Sequence, residues 1–187
     1  MRLTDYCHLH VEKLLSAGDV AIDATVGNGH DTSFLARIVG KTGKVFGFDI
    51  QHQAIINTQK RLEQLALHQR VEIFHTSHAE MLEHIPQNYH QKIKVVMFNL
   101  GYLPGGDKNI ITAASTTLTA FSHSLDLLQS GGNLVVMVYT GHSGGECEWN
   151  EIQQWFTSLE KSIYTVMFPV EPSPRKEVPK LFVIEKR

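Results

Sequence analysis

Short apolar runs alternate with helix-spaced segments along the whole chain. The first run lies within residues 19–25 and passes directly into Asp23-Ala24-Thr25-Val26-Gly27-Asn28-Gly29-His30-Asp31. Further runs are Lys44-Val45-Phe46-Gly47-Phe48-Asp49, Val71-Glu72-Ile73-Phe74, Lys94-Val95-Val96-Met97-Phe98-Asn99 and Leu134-Val135-Val136-Met137-Val138-Tyr139. The last two are apolar without alternation, as strands covered on both faces of a parallel sheet must be. Helical spacing predicts helices over 4–16, with Thr4 as N-cap, over 31–39, stopped by Gly40 and Gly43, and over 52–67. Others are expected over 78–85 ahead of Pro86, from Ile110 to Leu128 with Gly131-Gly132 as the stop, and from Glu146 to Leu159. Two closing strands, 162–169 and 180–186, flank a segment holding Pro172, Pro174 and Pro179. No long helix fits that segment, so these strands should form an antiparallel hairpin. The expectation is a single α/β domain over 1–187, with a seven-stranded, mostly parallel sheet.

Composition narrows the setting. The chain has 187 residues, 42% of them hydrophobic, which suffices for one complete core. No run approaches the roughly 20 apolar residues of a membrane span, and the N-terminus has no apolar signal core. Two cysteines, Cys7 and Cys147, cannot build a disulfide framework, which points to a reducing, cytoplasmic location. A net charge of −2 means that any nucleic-acid contact must use a local basic patch.

The turn after the first strand is the clearest chemical signal. Gly27 and Gly29 leave bare backbone where a nucleotide-like ligand meets a helix start. A dinucleotide fingerprint needs a third glycine, and that position is Thr32. Asp31 would repel a pyrophosphate but suits a ligand carrying an amine and no phosphate, such as S-adenosylmethionine. Asp49, at the end of the second strand, is placed to accept hydrogen bonds from ribose hydroxyls, with Gln51 close behind. Thr25, Gly27, Asn28, Gly29, Asp31, Thr32, Asp49 and Gln51 therefore form the expected donor site. Ser77 and His78 follow the third strand, where His78 or a backbone amide could meet an adenine and Ser77 could equally cap a helix.

Asn99-Leu100-Gly101-Tyr102-Leu103-Pro104-Gly105-Gly106-Asp107 ends a central strand. Asn-x-x-Tyr resembles the Asn-Pro-Pro-Tyr box of amine-methylating enzymes, with Leu100-Gly101 in place of the prolines. Tyr139-Thr140-Gly141-His142-Ser143-Gly144-Gly145-Glu146 ends the fifth strand, and His142 and Glu146 there could orient a substrate or carry a proton. Cys147, between two acids, is a poor nucleophile and reads as a small buried residue. Cys7, His8 and His10 have no second cluster at zinc spacing, so they read as helix-surface residues and no metal is expected.

Together, these three glycine-rich blocks resemble the small class I, Rossmann-like methyltransferases called YtqB-like, long labelled rRNA methylases. The resemblance runs over about residues 4–186. It implies an S-adenosylmethionine-dependent enzyme of the MnmM type, which methylates the amine of 5-aminomethyl-2-thiouridine at the tRNA wobble position. Asn99 would then aim the amine, with Leu100, Gly101 and Tyr102 around it, and His142 could take the final proton. Lys108, Arg175, Lys176 and Lys180 could meet phosphates of an anticodon stem-loop, and a homodimer would enlarge that platform. Methylation of rRNA or of a small-molecule amine, and a non-catalytic nucleotide- or RNA-binding module, are the competing expectations.

Overall fold

In the computed structural model, residues 2–101, 105, 112–141, 144–175 and 177–187 are described. Five parallel strands form most of one sheet: β1 (Val20–Asp23), β2 (Lys44–Asp49), β3 (Val71–His75), β4 (Ile93–Leu100) and β5 (Leu128–Val138). Two more, β6 (Tyr164–Met167) and β7 (Lys180–Lys186), complete the order β3-β2-β1-β4-β5-β7-β6. β7 runs antiparallel to both β5 and β6, so the expected hairpin forms, with its second strand inserted between β5 and the edge strand β6.

Helices α1 (Leu3–Leu14), α2 (His30–Val39) and α3 (His52–Gln64) contribute Val11, Leu35, Ala36 and Leu62 to a core with Ala21, Val95 and Met97. Helices α4 (Met81–His84), α5 (Ala114–Leu127) and α6 (Gly145–Phe156) pack Met81, Phe121 and Ile152 against Ile22, Phe98 and Phe182. Neighbouring strand residues thus point into opposite cores, which is why β4 and β5 have no polar alternation. Gly47 meets a different demand: a Cβ there would lie 2.7 Å from Val26 Cγ2, so only glycine lets the turn after β1 close over β2.

Several boundaries differ from the sequence-based expectation. Helix α1 begins at Leu3 with Arg2 as its N-cap, not Thr4, because the Asp5 carboxylate reaches back to accept the Arg2 N–H at 3.1 Å. Helix α5 begins at Ala114 rather than Ile110, which lies outside the described residues. It ends at Leu127, before the Gly131-Gly132 pair. Those glycines sit inside β5, in a register shift opposite Ile93 and Val95. The Lys186 ammonium caps α5, donating to the carbonyls of Leu125 and Leu128 at 2.7 and 2.9 Å. The segment at 78–85 divides into a 3-10 turn, His78–Glu80, and the short α4. Among the described residues, no helix is long and apolar enough to cross a membrane.

Candidate functional site

The chain leaves β1 toward β2 and β3, and leaves β4 toward β5 on the other side. The carboxyl ends of β1 and β4 therefore border the crevice where open α/β sheets bind ligands. The turn after β1 enters it as a braced loop. Thr58 Oγ1 of α3 donates to the Gly27 carbonyl at 3.0 Å, and Arg61 Nε donates to the Asn28 carbonyl at 2.9 Å. Asn57 Nδ2 donates to Asn28 Oδ1 at 2.9 Å. Gly29 has φ +74°, and a Cβ there would strike Thr58 Oγ1 at 2.6 Å, so strain and collision both require glycine.

Three carboxylates surround this loop. Asp49 accepts the N–H of Gly27 and of Gln51, each at 2.8 Å, while burial lifts its pKa above the usual carboxylate range. Asp23 is fully buried and accepts Thr32 Oγ1–H at 2.6 Å and the Thr25 N–H at 3.2 Å. Burial first, and then the Asp31 charge, raise its pKa to about 7. Asp31 opens α2 and receives Asn99 Nδ2–H across the crevice, and His8 Nε2 lies 2.5 Å from its other oxygen. Asn99 is fixed a second way, since its backbone N–H donates to Thr25 Oγ1 at 2.7 Å. An ionised carboxylate only accepts, so the Asn99 amide must present its NH2 to Asp31, which leaves Oδ1 as an acceptor.

His78 faces the crevice's other flank. Its Nδ1–H donates to the Ala24 carbonyl at 3.2 Å, and burial depresses its pKa to about 4, so the ring is neutral and Nε2 is a bare acceptor. That buried Nε2 has no partner among the described residues. Ser77 caps the turn that carries it, accepting the Ala79 N–H at 3.2 Å.

Of the expected residues, Thr25, Gly27, Asn28, Asp31, Asp49, Gln51, His78 and Asn99 are linked by contacts around these strand ends, though not all of the expected set has the expected exposure. Thr32 is fully buried, and its hydroxyl serves Asp23. Leu100 is also fully buried, and its carbonyl already accepts the Tyr139 N–H at 2.9 Å. The Gly101 carbonyl accepts from the Thr112 N–H at 3.1 Å. Tyr102, Lys108, His142 and Lys176 lie outside the described residues. Glu146 is exposed at a cleft of about 570 Å³ that Trp149, Phe168 and Glu171 also line. Arg175 is exposed, as a phosphate contact would be. Lys180 is not available for that role: its ammonium donates to the carbonyls of Ser173, Arg175 and Val178 at 2.6, 2.9 and 3.2 Å. Cys147 is exposed on α6 rather than buried, and its thiol pKa is raised by Glu151 one turn away.

Sequence reasoning missed four residues. Asp23 carried a visible signal, an acid closing an apolar strand. Arg61 and Glu148 carried none, because their roles depend on how helices pack. Glu148, 3% exposed, accepts from the hydroxyls of Thr112 and Thr117 at 3.0 and 2.7 Å and so ties the loop after β4 to α6. His8, read as a helix-surface residue, reaches the crevice from α1.

Comparison with known proteins fits this architecture. Residues 45–185 match the family profile described as "Putative rRNA methylase". A tRNA (mnm(5)s(2)U34)-methyltransferase, chloroplastic, from Arabidopsis thaliana is 37% identical over 169 residues. That match covers 86% of this chain, and the chain spans 61% of the relative's length. The crystal structure of a putative rRNA-methylase from Clostridium thermocellum has a TM-score of 0.93 at 37% identity, covering 100% of this chain and 98% of that one. A putative methyltransferase from Streptococcus mutans, solved in complex with SAH, has a TM-score of 0.86 at 35% identity, covering 100% and 99%. With its fold and most of its length shared with these proteins, the chain belongs to the family described as "Putative rRNA methylase", built on the class I methyltransferase fold.

Proposed function

We propose that the chain is an S-adenosylmethionine-dependent tRNA methyltransferase. In this reading it N-methylates 5-aminomethyl-2-thiouridine at the wobble position, acting as a single cytoplasmic domain over 1–187. The observation that carries this reading is the Asn99–Asp31 contact, which joins an amine-orienting amide to an ammonium-binding carboxylate at the switch point. The name of the Arabidopsis relative supports the RNA substrate, and the SAH in the Streptococcus mutans structure supports the donor.

The crevice fits that donor. Asp49 suits two vicinal ribose hydroxyls, and the bare backbone at Gly27–Gly29 admits close approach. The unpartnered His78 Nε2 suits the exocyclic amine of adenine, and Asp31 suits an α-ammonium. When bound, S-adenosylmethionine supplies a methyl group on a sulfonium, already an excellent leaving group. The protein's part is alignment and exclusion of water. Asn99 Oδ1 accepts an N–H of the substrate amine and aims its lone pair. An alkylamine in water has a pKa near about 10.4, and desolvation beside Tyr139 and Gly101 favours the neutral, nucleophilic form. After N–C bond formation the nitrogen sheds one proton, to water or to His142. Arg175 and Lys176 are proposed to meet the anticodon stem-loop, and a homodimer would extend that surface.

The test is methyl transfer from S-adenosylmethionine to tRNA from a strain lacking this enzyme, with nucleosides read by mass spectrometry. Conversion of 5-aminomethyl-2-thiouridine to its methylamino form is the expected result. The family's description favours a second reading, rRNA methylation, and label appearing only in rRNA would replace the first.

A further inference from the structure

We propose that the cleft between α6 and the segment following β6 is the seat of one unpaired nucleobase of the RNA substrate, a neighbour of the base that is methylated. This rests on the RNA reading above and adds to it a place where a second base is held.

The cleft has a volume of about 570 Å³ and begins at Thr140, the second residue beyond β5. β5 lies beside β4, so the cleft opens on the same strand-end edge as Asn99, on the side away from the glycine turn. Its inner wall is one stripe of α6. Glu146, Trp149, Asn150 and Gln153 stand at i, i+3, i+4 and i+7, the spacing that puts side chains on one helix face. Its outer wall is Phe168 and the segment holding Pro172, Ser173 and Pro174. That segment is fastened before any ligand arrives. The Lys180 ammonium ties down the carbonyls of Ser173, Arg175 and Val178, and the Arg175 N–H donates to Ser173 Oγ at 3.2 Å.

The lining matches a flat heteroaromatic ring rather than a phosphate. Trp149 and Phe168 have centroids 6.5 Å apart and planes 82° apart, so a ring laid on Phe168 stands nearly at a right angle to the indole. Phe168 is 39% exposed, which leaves ring surface for stacking. Trp149 is only 9% exposed, yet its indole N–H makes no hydrogen bond among the described residues. Neither do the exposed side-chain amides of Asn150 and Gln153. Together they offer donors and acceptors to the edge of a base. A phosphate meets the opposite: Glu146 and Glu171 bring carboxylates, and the Lys180 ammonium already donates to three carbonyls. The RNA backbone is therefore left to the rim, where Arg175 is exposed. A base that reaches Asn99 has left its stack, and its single-stranded neighbours are then free to be held on aromatic rings.

The probes are synthetic anticodon stem-loop RNAs, one complete and the others each with a single abasic ribose at a different loop position other than the methylated one. Binding is measured by fluorescence anisotropy against wild type, Phe168→Ala and Phe168→Trp. Phe168→Ala should bind the complete RNA about fivefold to a hundredfold more weakly, and Phe168→Trp should bind it as wild type does. One abasic position should weaken wild type by a similar factor and cost Phe168→Ala nothing further. Calorimetry should show the affinity for S-adenosylmethionine unchanged. If Phe168→Ala melts early, the double variant Asn150→Ala, Gln153→Ala takes its place, since both residues are exposed, and must show the same coupling to that one position. Unchanged RNA affinity, or losses that add in full at every abasic position, would overturn the subsite while leaving the methyl-transfer reading intact. A second copy of the chain seated in the cleft would show as a fall in sedimenting mass for Phe168→Ala with no abasic position coupled to it, which also overturns the subsite. Failure of folded wild type to bind any of these RNAs, or tRNA itself, would remove the RNA reading as well.

Discussion

At the carboxyl ends of β1 and β2, backbone and carboxylates lock one another. Asp49 holds Gly27, Asp23 holds Thr25 and Thr32, and α3 grips the same loop through Thr58 and Arg61. Beyond β5 and before β7, the structure is more open. Two fastenings stand out there, the buried Glu148 beneath Thr112 and the Lys180 ammonium inside its carbonyl ring, and around them Phe168, Val170 and Val178 stay 38–39% exposed. The first region suits a small ligand of fixed shape, for which a preorganised pocket lowers the ordering cost of binding. The second suits a large partner that covers apolar surface and meets loops. Asn99 stands where the two regions join.

The largest expected effect is therefore at that junction. Asn99→Ala should lower methyl transfer by about a hundredfold or more while donor affinity stays within a few-fold. Near-normal turnover would show that the two regions work without the link. Glu148→Ala strands the buried Thr117 hydroxyl and the half-buried Thr112 hydroxyl and should cost about 1–3 kcal/mol of stability. It should weaken RNA binding but not donor binding; a matching loss of donor affinity in calorimetry would erase the distinction between the regions.

The donor side can be probed through Asp23. Its folded pKa is raised, chiefly by burial, so the folded state holds the proton more tightly than the unfolded chain does. The sign follows from linkage: this group's contribution to stability falls as pH rises from the unfolded value, near about 3.9, toward the folded value of about 7. Asp23→Asn cannot ionise, and the Thr32 hydroxyl can turn to accept from the new amide. The variant should melt higher than wild type at about pH 8, by about 2–4 °C for each kcal/mol recovered, with the gap closing toward about pH 4. Parallel melting profiles across that range would refute the account.

Smaller effects belong to the open side. Arg175→Ala should weaken RNA binding a few-fold and reduce the salt slope by about one unit, with donor affinity unchanged. A slope identical to wild type would mean that Arg175 meets no phosphate. Cys147→Ser should leave the rate unchanged in the same transfer assay, since the thiol is held protonated by Glu151. Loss of activity there would point to covalent chemistry that an amine acceptor does not need.

The glycine turn and the strand-end acids proposed to hold the donor were easier to read in the sequence than their surroundings, for a physical reason. Gly27, Gly29, Asp31 and Asp49 are constrained by local geometry, a tight turn and two strand ends, so their spacing along the chain carries the information. Leu100 shows the limit of such reading. It sits inside a recognisable box, yet its side chain belongs to the core, because strand residues alternate faces. Lys180 looked like a surface cation, but no local pattern reveals that the loop ahead of it curls its carbonyls inward.

The chain's own pattern of apolar runs, glycine turns and strand-end acids determined the α/β class, the mostly parallel sheet and the position of the glycine turn after β1, because each depends on neighbours within a few residues. Tertiary packing alone decided that β7 would enter between β5 and β6, that α3 would brace the glycine turn, and that His8 would lie against Asp31. Those contacts join residues far apart in sequence. They exist only once burial of both faces of the sheet has fixed where each helix lies.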